Sequence, residues 1–307
     1  MVVKESIARD VLRLFVWYPL RWMILALPIA AGFKVLQTMG GLHYAFSRGR
    51  KALLKENLRR IDPSMTDDMA EAAVKEYFRN HYTDRLLIFI FPRFGKKEIE
   101  RLVKIDGIEN LDRALKKGRG AILVHGHFGP VHLPLVALAR LGYGMKQIGL
   151  PSDEGLSWIG RNVAFRLRLE YESLLPAEVI MADGFLRGAF KWLAGNGVIM
   201  ITGDGSGTER KVGRHSPFRF CGQPVLFPLG PALLSEKTGA ELIPMFITPG
   251  DGKSLYRIVI ETPIEKREGG SEAMVSEFIS RYERYVTKYP GYMHFLDKFS
   301  PGLFITR

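Results

Sequence analysis

The chain has 307 residues and a mass of 34.7 kDa, with 47% hydrophobic and 25% charged positions. That balance excludes disordered, collagenous and low-complexity classes and leaves ample chain to bury a core. Lys and Arg number 44 against 32 Asp and Glu, a net charge of +12, which calls for an anionic partner: a membrane surface, a nucleic acid, an acidic carrier protein or a phosphorylated substrate. The single cysteine, Cys221, excludes an internal disulfide framework and points to a reducing compartment.

In chain order, residues 1–47 read first as a membrane anchor. Twelve uncharged residues, Trp22 to Phe33, lie between Arg21 and Lys34. As a helix they reach about 18 Å, against a hydrocarbon core of about 30 Å, and Pro28 interrupts them. The expectation is a shallow interfacial or re-entrant anchor, with Trp17, Tyr18 and Trp22 beside Arg13 and Arg21 at the headgroup level. A buried pair of core helices is the bland alternative. A helical segment then occupies 48–105. It opens with six basic residues (Arg48, Arg50, Lys51, Lys55, Arg59, Arg60) against one acid, Glu56. Directly after an anchor this reads as a juxtamembrane basic stretch, each cation contributing roughly 1 kcal/mol at an anionic surface. Helices are predicted over Ser64–Ile90, capped by Ser64 or Thr66, and over Lys97–Lys104.

From about Asp106 the period changes. Helical stretches (Leu111–Lys117, Phe185–Ala194, Leu229–Lys237) alternate with short apolar runs at Ala121–His127, Lys146–Leu150, Glu178–Ala182, Val198–Asp204, Leu242–Thr248 and Tyr256–Glu261. The alternation predicts an α/β domain over 106–307, with a mixed, largely parallel sheet flanked by helices and its ligand site at the strand ends.

The segment that carries chemistry is Gly120-Ala-Ile-Leu-Val-His125-Gly-His127-Phe-Gly-Pro130-Val-His132-Leu. A buried strand runs into a Gly-Pro turn, with Pro130 placed as the first residue of a helix. His127 then lies at the strand end and His132 in the first helical turn, where exposed N–H groups favour anions or a developing oxyanion. Two functional readings stand here. His127 is a general base toward a hydroxyl, or His125, His127 and His132 bind a metal, since positions i and i+2 of a strand share a face. Satisfied structural histidines at a turn are the bland third. Val198-Ile-Met-Ile-Thr-Gly-Asp204-Gly-Ser-Gly is a second strand ending in a Gly-rich turn with one acid. Asp204 shares an edge with His127 if the two strands run parallel. Downstream, Phe218-Arg-Phe-Cys-Gly-Gln-Pro-Val-Leu-Phe-Pro-Leu-Gly230 reads as the wall of a groove for a hydrocarbon chain or, equally, as a plain packed turn.

In order and spacing these segments resemble the lipid A biosynthesis acyltransferases, the lauroyl and myristoyl transferases within the glycerolipid acyltransferase superfamily. The resemblance spans nearly the whole chain. It rests on the anchor ending in Leu-Pro, Arg50-Lys-Ala-Leu-Leu-Lys-Glu-Asn57-Leu, His127-Phe-Gly, the strand to Asp204, Phe220-Cys-Gly-Gln-Pro and Pro228-Leu-Gly230, Thr238-Gly-Ala240 with Pro244, and Tyr289-Pro with His294. The family transfers a fatty acyl chain from an acyl-carrier protein or coenzyme A thioester to a hydroxyl of a membrane lipid, without metal or other cofactor. The resemblance implies His127 as general base, Arg166 or Arg168 facing lipid or donor phosphate, and Gly129 and Gly230 beside the substrate. It also implies a place on the cytoplasmic face of the inner membrane.

The chain departs from the family at one point. The family motif His-x4-acid has its carboxylate where His132 stands. Here His132 is expected to orient His127, with Asp204 as auxiliary. A lipid-binding relative impaired at His132 is the alternative to an active transferase, and a metal-dependent hydrolase is a more distant one. No helix-turn-helix, zinc-finger or aromatic–basic signature accompanies the charge, so nucleic acid is not the expected partner.

Overall fold

A computed structural model describes residues 5–151, 153–182, 186–204, 213–265 and 268–299. Helix α1 (Ile7–Phe15) is capped by Ser6, whose hydroxyl accepts from the Arg9 N–H. It continues through a π-helical turn at Val16–Leu20 into α2 (Arg21–Ala26). Pro19 lies inside that turn and has no N–H to donate, which suits the looser winding. Pro28 divides the apolar run as its ring requires, and α3 (Ile29–Phe46) starts just after it. Next come α4 (Arg48–Ile61) and α5 (Asp67–Leu86). Thr66 caps α5, and Asp67 and Asp68 favour its positive end. Ser64 turns aside to bond Asp62.

The N-terminal helices are only half outward. Leu20, Ile24, Phe33 and Leu36 are at most 3% exposed and join the same core as the sheet, whereas Trp22 is 59% exposed. Two residues expected at a headgroup level are turned inward. Trp17 is buried edge-on against Phe89 at 4.9 Å, and Arg13 bonds Glu5, Asp10 and Ser157. Among the described residues no helix is long and apolar enough to cross a membrane. The basic run on α4 is partly neutralised: Arg50 pairs with Asp297, Lys55 with Glu71, Arg59 with Asp67 and Arg60 with Glu56.

The sheet begins with α6 (Lys96–Leu102) leading into β1 (Val103–Asp106), so the strand straddles the boundary expected at 105/106. Then follow α7 (Ile108–Leu115), β2 (Ala121–His125), α8 (Leu133–Arg140), β3 (Met145–Gly149), α9 (Arg166–Ser173), β4 (Glu178–Met181), α10 (Arg187–Ala194) and β5 (Val198–Thr202). A hairpin of β6 (His215–Phe220) and β7 (Gln223–Pro228) precedes α11 (Gly230–Thr238), β8 (Glu241–Pro249), β9 (Tyr256–Ile260) and α12 (Gly270–Lys288). Seven strands form one sheet in the order β1-β9-β8-β2-β5-β3-β4. From β8 to β4 neighbouring strands are parallel, and β1 and β9 run the other way because β9 pairs antiparallel with β8. Helices cover the central strands, which is why all five residues of β2 are buried and read as one apolar run.

Two elements differ from the sequence expectation. The apolar run Phe218–Gly230 is largely the β6–β7 hairpin, and Phe220, Val225 and Phe227 fill the core instead of lining an open groove. Helix α12 was not anticipated, although Met274, Val275, Phe278, Ile279, Tyr282 and Val286 fall at helical spacing and are its buried face.

Candidate active site

The site follows from strand register. β2 and β5 pair in parallel with His125 opposite Thr202. His127 and Asp204 each stand two residues beyond those partners, so the pairing sets them level at the carboxyl edge of the sheet, where α/β proteins bind ligands. The His127 backbone N–H donates to Asp204 Oδ2 at 2.6 Å, and its ring Nδ1 lies 2.7 Å from Oδ1. Tyr282, from α12, reaches Oδ2 with its hydroxyl at 3.5 Å. Gly126 is what allows Tyr282 so close, because a Cβ there would lie 2.2 Å from the ring Cζ.

Burial opposes charge on both members of the pair. On His127 the Asp204 carboxylate more than offsets it, and the imidazole pKa is raised. On Asp204 burial likewise works against ionisation, but the His127 ring and backbone N–H hold the carboxyl below its ordinary value. A carboxylate at Nδ1 fixes the proton there and leaves Nε2 with its lone pair. Nε2 makes no hydrogen bond among the described residues, and the His127 side chain is 27% exposed, edge-on to Phe295 at 4.9 Å. An accessible imidazole nitrogen backed by a buried carboxylate is the arrangement that removes a proton from a hydroxyl.

The other expected residues distribute unevenly around this pair. His125 ends β2 buried in the core, with Nδ1 2.9 Å from the Gly126 carbonyl, and burial pushes its pKa down to about 4. The strand stops before His127, so the i, i+2 spacing that would aim both rings at one metal is not kept. Among the described residues no three His, Cys, Asp or Glu side chains gather as a metal site. His132 does not hydrogen-bond to His127, which corrects the expectation that it orients the ring. Helix α8 starts at Leu133 rather than Pro130, leaving His132 at the end of a turn. Its Nε2 lies 3.9 Å from Glu172 Oε1, and burial lowers its pKa to about 4. The carboxylate facing His127 is that of Asp204.

The two arginines separate. Arg166 is 75% exposed and pairs with Glu170 on the surface. Arg168 bonds Glu172 at 2.6 Å, and the nearly buried Glu172 carries it to the His132 side of the site. Gly129 has φ +64 and donates its N–H to the Tyr292 carbonyl at 2.9 Å, so it shapes the loop and its donor is already used. Gly230 opens α11 with no neighbour where a Cβ would stand. The glycine-rich residues 205–207 after Asp204 lie outside the described residues.

Three features escaped the sequence reading. Tyr282 and Glu172 are two of them, and the third is a second His–acid pair. The His294 N–H donates to the His127 carbonyl at 3.0 Å, while its Nε2 lies 3.1 Å from Asp84 Oδ2. Asp84 is on α5, 210 residues away in the chain, and no local spacing could have joined the two. For Tyr282 a signal existed in the helical spacing of Phe278, Tyr282 and Val286.

Comparison with known proteins bears on the same residues. Residues 4–300 match the family described as bacterial lipid A biosynthesis acyltransferase. A phosphatidylinositol mannoside acyltransferase of Mycolicibacterium smegmatis is 26% identical over 298 residues, covering 91% of this chain and 92% of that protein. One from Mycobacterium tuberculosis is 25% identical over 301 residues, covering 91% and 86%. The match takes in both strands that carry His127 and Asp204, and the chain belongs to the bacterial lipid A biosynthesis acyltransferase family and is an acyltransferase.

Proposed function

We propose that this acyltransferase moves a fatty acyl chain from an acyl-carrier protein or coenzyme A thioester to a hydroxyl of a membrane glycolipid. The acceptor class is taken from the relatives, whose names give a phosphatidylinositol mannoside. His127 acts as the general base. Its Nε2 takes the acceptor hydroxyl proton as that oxygen attacks the thioester carbonyl. As the C–S bond breaks, the imidazolium returns the proton to the departing sulfur, giving a free thiol and an ester. Asp204 holds the Nδ1 tautomer and stabilises the transient positive ring. The observation that carries this reading is the paired carboxylate behind an accessible Nε2. It favours turnover over a lipid-binding relative impaired at His132, because the carboxylate absent from position 132 has a counterpart in Asp204.

The site works at a membrane, on the cytoplasmic face of the inner membrane, where a lipid acceptor and a thioester donor meet. The support is α1, whose apolar residues Ile7, Val11, Leu12 and Phe15 face outward at 48–84% exposure while Asp10 and Arg13 face the protein. The test is transfer of label from acyl-carrier protein or acyl-coenzyme A into a polar lipid extract containing unacylated glycolipid. Wild type is expected to label a lipid and His127→Ala to lose at least about 10²-fold in rate. Equal rates from folded wild type and variant would overturn the role of His127.

A further inference from the structure

The basic start of α4 does more than carry charge. Arg50 and Asn57 stand seven residues apart and so share one face of the helix. Both bond residues 290–298, the segment that follows α12. Arg50 Nη2 meets Asp297 Oδ2 at 3.0 Å, and Asn57 Nδ2 donates to the Leu296 carbonyl at 2.8 Å. Asn57 is wholly buried, and its Oδ1 accepts from Arg60 Nη1 at 2.7 Å. A guanidinium only donates, so this contact fixes the amide with its nitrogen toward the carbonyl. Helix α5 presents a matching face, with Tyr77, Asn80 and Asp84 spaced by three and then four residues. Tyr77 donates to the His294 carbonyl at 3.4 Å, Asn80 to the Gly291 carbonyl at 3.2 Å, and Asp84 Oδ2 lies 3.1 Å from His294 Nε2.

The segment held in this way has little regular structure of its own. It is built on two single 3₁₀ turns, Pro290–Tyr292 and Leu296–Lys298, so side chains of α4 and α5 set its register in place of a helix or strand ladder. Between the turns it runs along the loop that carries His127. Phe128 and Met293 form an antiparallel bridge, with the Gly129 N–H on the Tyr292 carbonyl at 2.9 Å and the His294 N–H on the His127 carbonyl at 3.0 Å. Phe295 adds its ring, edge-on to the His127 imidazole at 4.9 Å. His127 is therefore held twice, by Asp204 at Nδ1 and by this segment through backbone and ring contacts. A slip of one residue in the segment would misplace both backbone bonds and take Phe295 off the imidazole.

We infer that Asn57 is a positioning residue for His127: through the Leu296 carbonyl it fixes the segment that aligns the His127 loop, with Arg50 as a second and weaker latch. This rests on the proposed role of His127 as the base. Without the latch His127 keeps Asp204 but spends less time with Nε2 aimed at the acceptor hydroxyl, and small misplacements of a reacting group are costly in rate. A contact that served stability alone would lower the unfolding midpoint and leave the rate of the folded enzyme untouched.

The experiment measures transfer by full-length wild type, Asn57→Ala, His127→Ala and the double variant, well below their unfolding midpoints and with a detergent-solubilised acceptor. Asn57→Ala is expected to lower kcat roughly tenfold to a hundredfold with KM for both substrates held. In the His127→Ala background it is expected to cost nothing further, because the group it aligns is gone. An unchanged kcat in Asn57→Ala, or the same loss in both backgrounds, overturns the inference. A His127→Ala rate equal to wild type would instead strike the proposed base, and the alignment role with it.

A second readout does not depend on turnover. Amide hydrogen exchange at Gly129 and His294, whose N–H groups cross between loop and segment, is expected to speed up roughly tenfold in Asn57→Ala while the β2 amides keep their protection. If Asn57→Ala does not fold, Arg50→Gln takes its place. Its ion pair with Asp297 is partly exposed, so the same pattern is expected at smaller size. Unchanged exchange at both amides in the folded variant, or faster exchange shared equally by β2, overturns the latch whatever the transfer assay shows.

Discussion

At the scale of single residues, Asp204 is the group on which the proposed base chemistry of His127 depends most directly. Its two oxygens divide the work: Oδ2 accepts the backbone N–H and so fixes the loop, while Oδ1 meets Nδ1 and so fixes the ring. Asp204→Asn keeps the size and one acceptor but removes the charge. In the proposed transfer, the imidazolium of His127 then loses its counter-ion inside a buried site. A fall in kcat of about 10²–10⁴-fold is expected. The pH profile supplies the sign. With Asp204 ionised the His127 pKa is raised, so the free-base form accumulates only above the ordinary imidazole range near about 6.5, and activity climbs through that higher pH. Without the carboxylate the protonated ring is less stable, its pKa drops, and the acid limb of kcat/KM moves to lower pH even as the maximum falls. A limb that stays in place in Asp204→Asn, measured across pH 5 to 9, would separate Asp204 from the titrating base.

At the scale of elements, what was legible in the sequence depended on whether a contact is local. His127 stood out because a buried strand, a Gly-Pro turn and a helix are all written within fourteen residues, Gly120 to Leu133. Asp204 was legible as an acid closing a second apolar run. That the two strands are neighbours was not, since β3 and β4 come between them in the chain and only the strand order brings β5 beside β2. The role expected of His132 followed from the family spacing and failed on geometry, because the helix begins three residues later than Pro130 suggests. Asp84 was hidden for a different reason: α5 reads as an ordinary amphipathic helix, and the face that bonds His294 is defined by what packs on it. The packing is tight. A Cβ on Gly40 of α3 would lie 2.5 Å from the Phe78 carbonyl oxygen and 2.6 Å from the Arg79 Cα, backbone that cannot yield as a side chain does. Gly40→Ala must therefore push α3 away from α5. The expected cost is about 1–3 kcal/mol, seen as a lower midpoint in thermal or urea unfolding. The control Gly41→Ala has nothing within 4 Å of the new methyl and is expected to be neutral or stabilising, since helix interiors prefer Ala to Gly. Equal midpoints for Gly40→Ala and wild type would mean that the two helices do not meet as closely as their backbones indicate.

At the scale of the whole molecule, the proposed lipid acceptor raises the question of how a protein without a long apolar helix among its described residues would reach it in a bilayer. Helix α1 is amphipathic in the reverse sense to a helix at the surface of a water-soluble protein. Arg13 joins Glu5, Asp10 and Ser157 against the body, and Ile7, Val11, Leu12 and Phe15 look away from it, 84%, 60%, 54% and 48% exposed. Trp158, 73% exposed, lies just ahead of a second π-helical turn, Gly160–Phe165, on which α1 packs, and Trp22 adds a second exposed indole. Exposing such a row to water is unfavourable, and each of these side chains gains roughly 1.5–3 kcal/mol on full burial in an apolar medium. The ion pairs on the inner face hold the helix in the orientation that presents it. The net charge of +12 adds attraction to anionic lipid, but at longer range and open to screening. The two contributions are separable by experiment with vesicles containing anionic lipid. Raising salt from low to about 1 M, where the screening length shrinks to about 3 Å, is expected to weaken binding without abolishing it, because apolar insertion is indifferent to screening. A Val11→Glu, Leu12→Glu double variant touches no core position, so it should fold normally, and it is expected to lose vesicle binding at all salt concentrations and transfer to bilayer-embedded acceptor with it. Its transfer to a detergent-solubilised acceptor should remain near wild type, because the His127–Asp204 pair lies on the sheet edge and not on α1. Loss of activity in both settings would place α1 within the catalytic unit itself, and retention of vesicle binding by the double variant would move the membrane-facing surface elsewhere on the molecule.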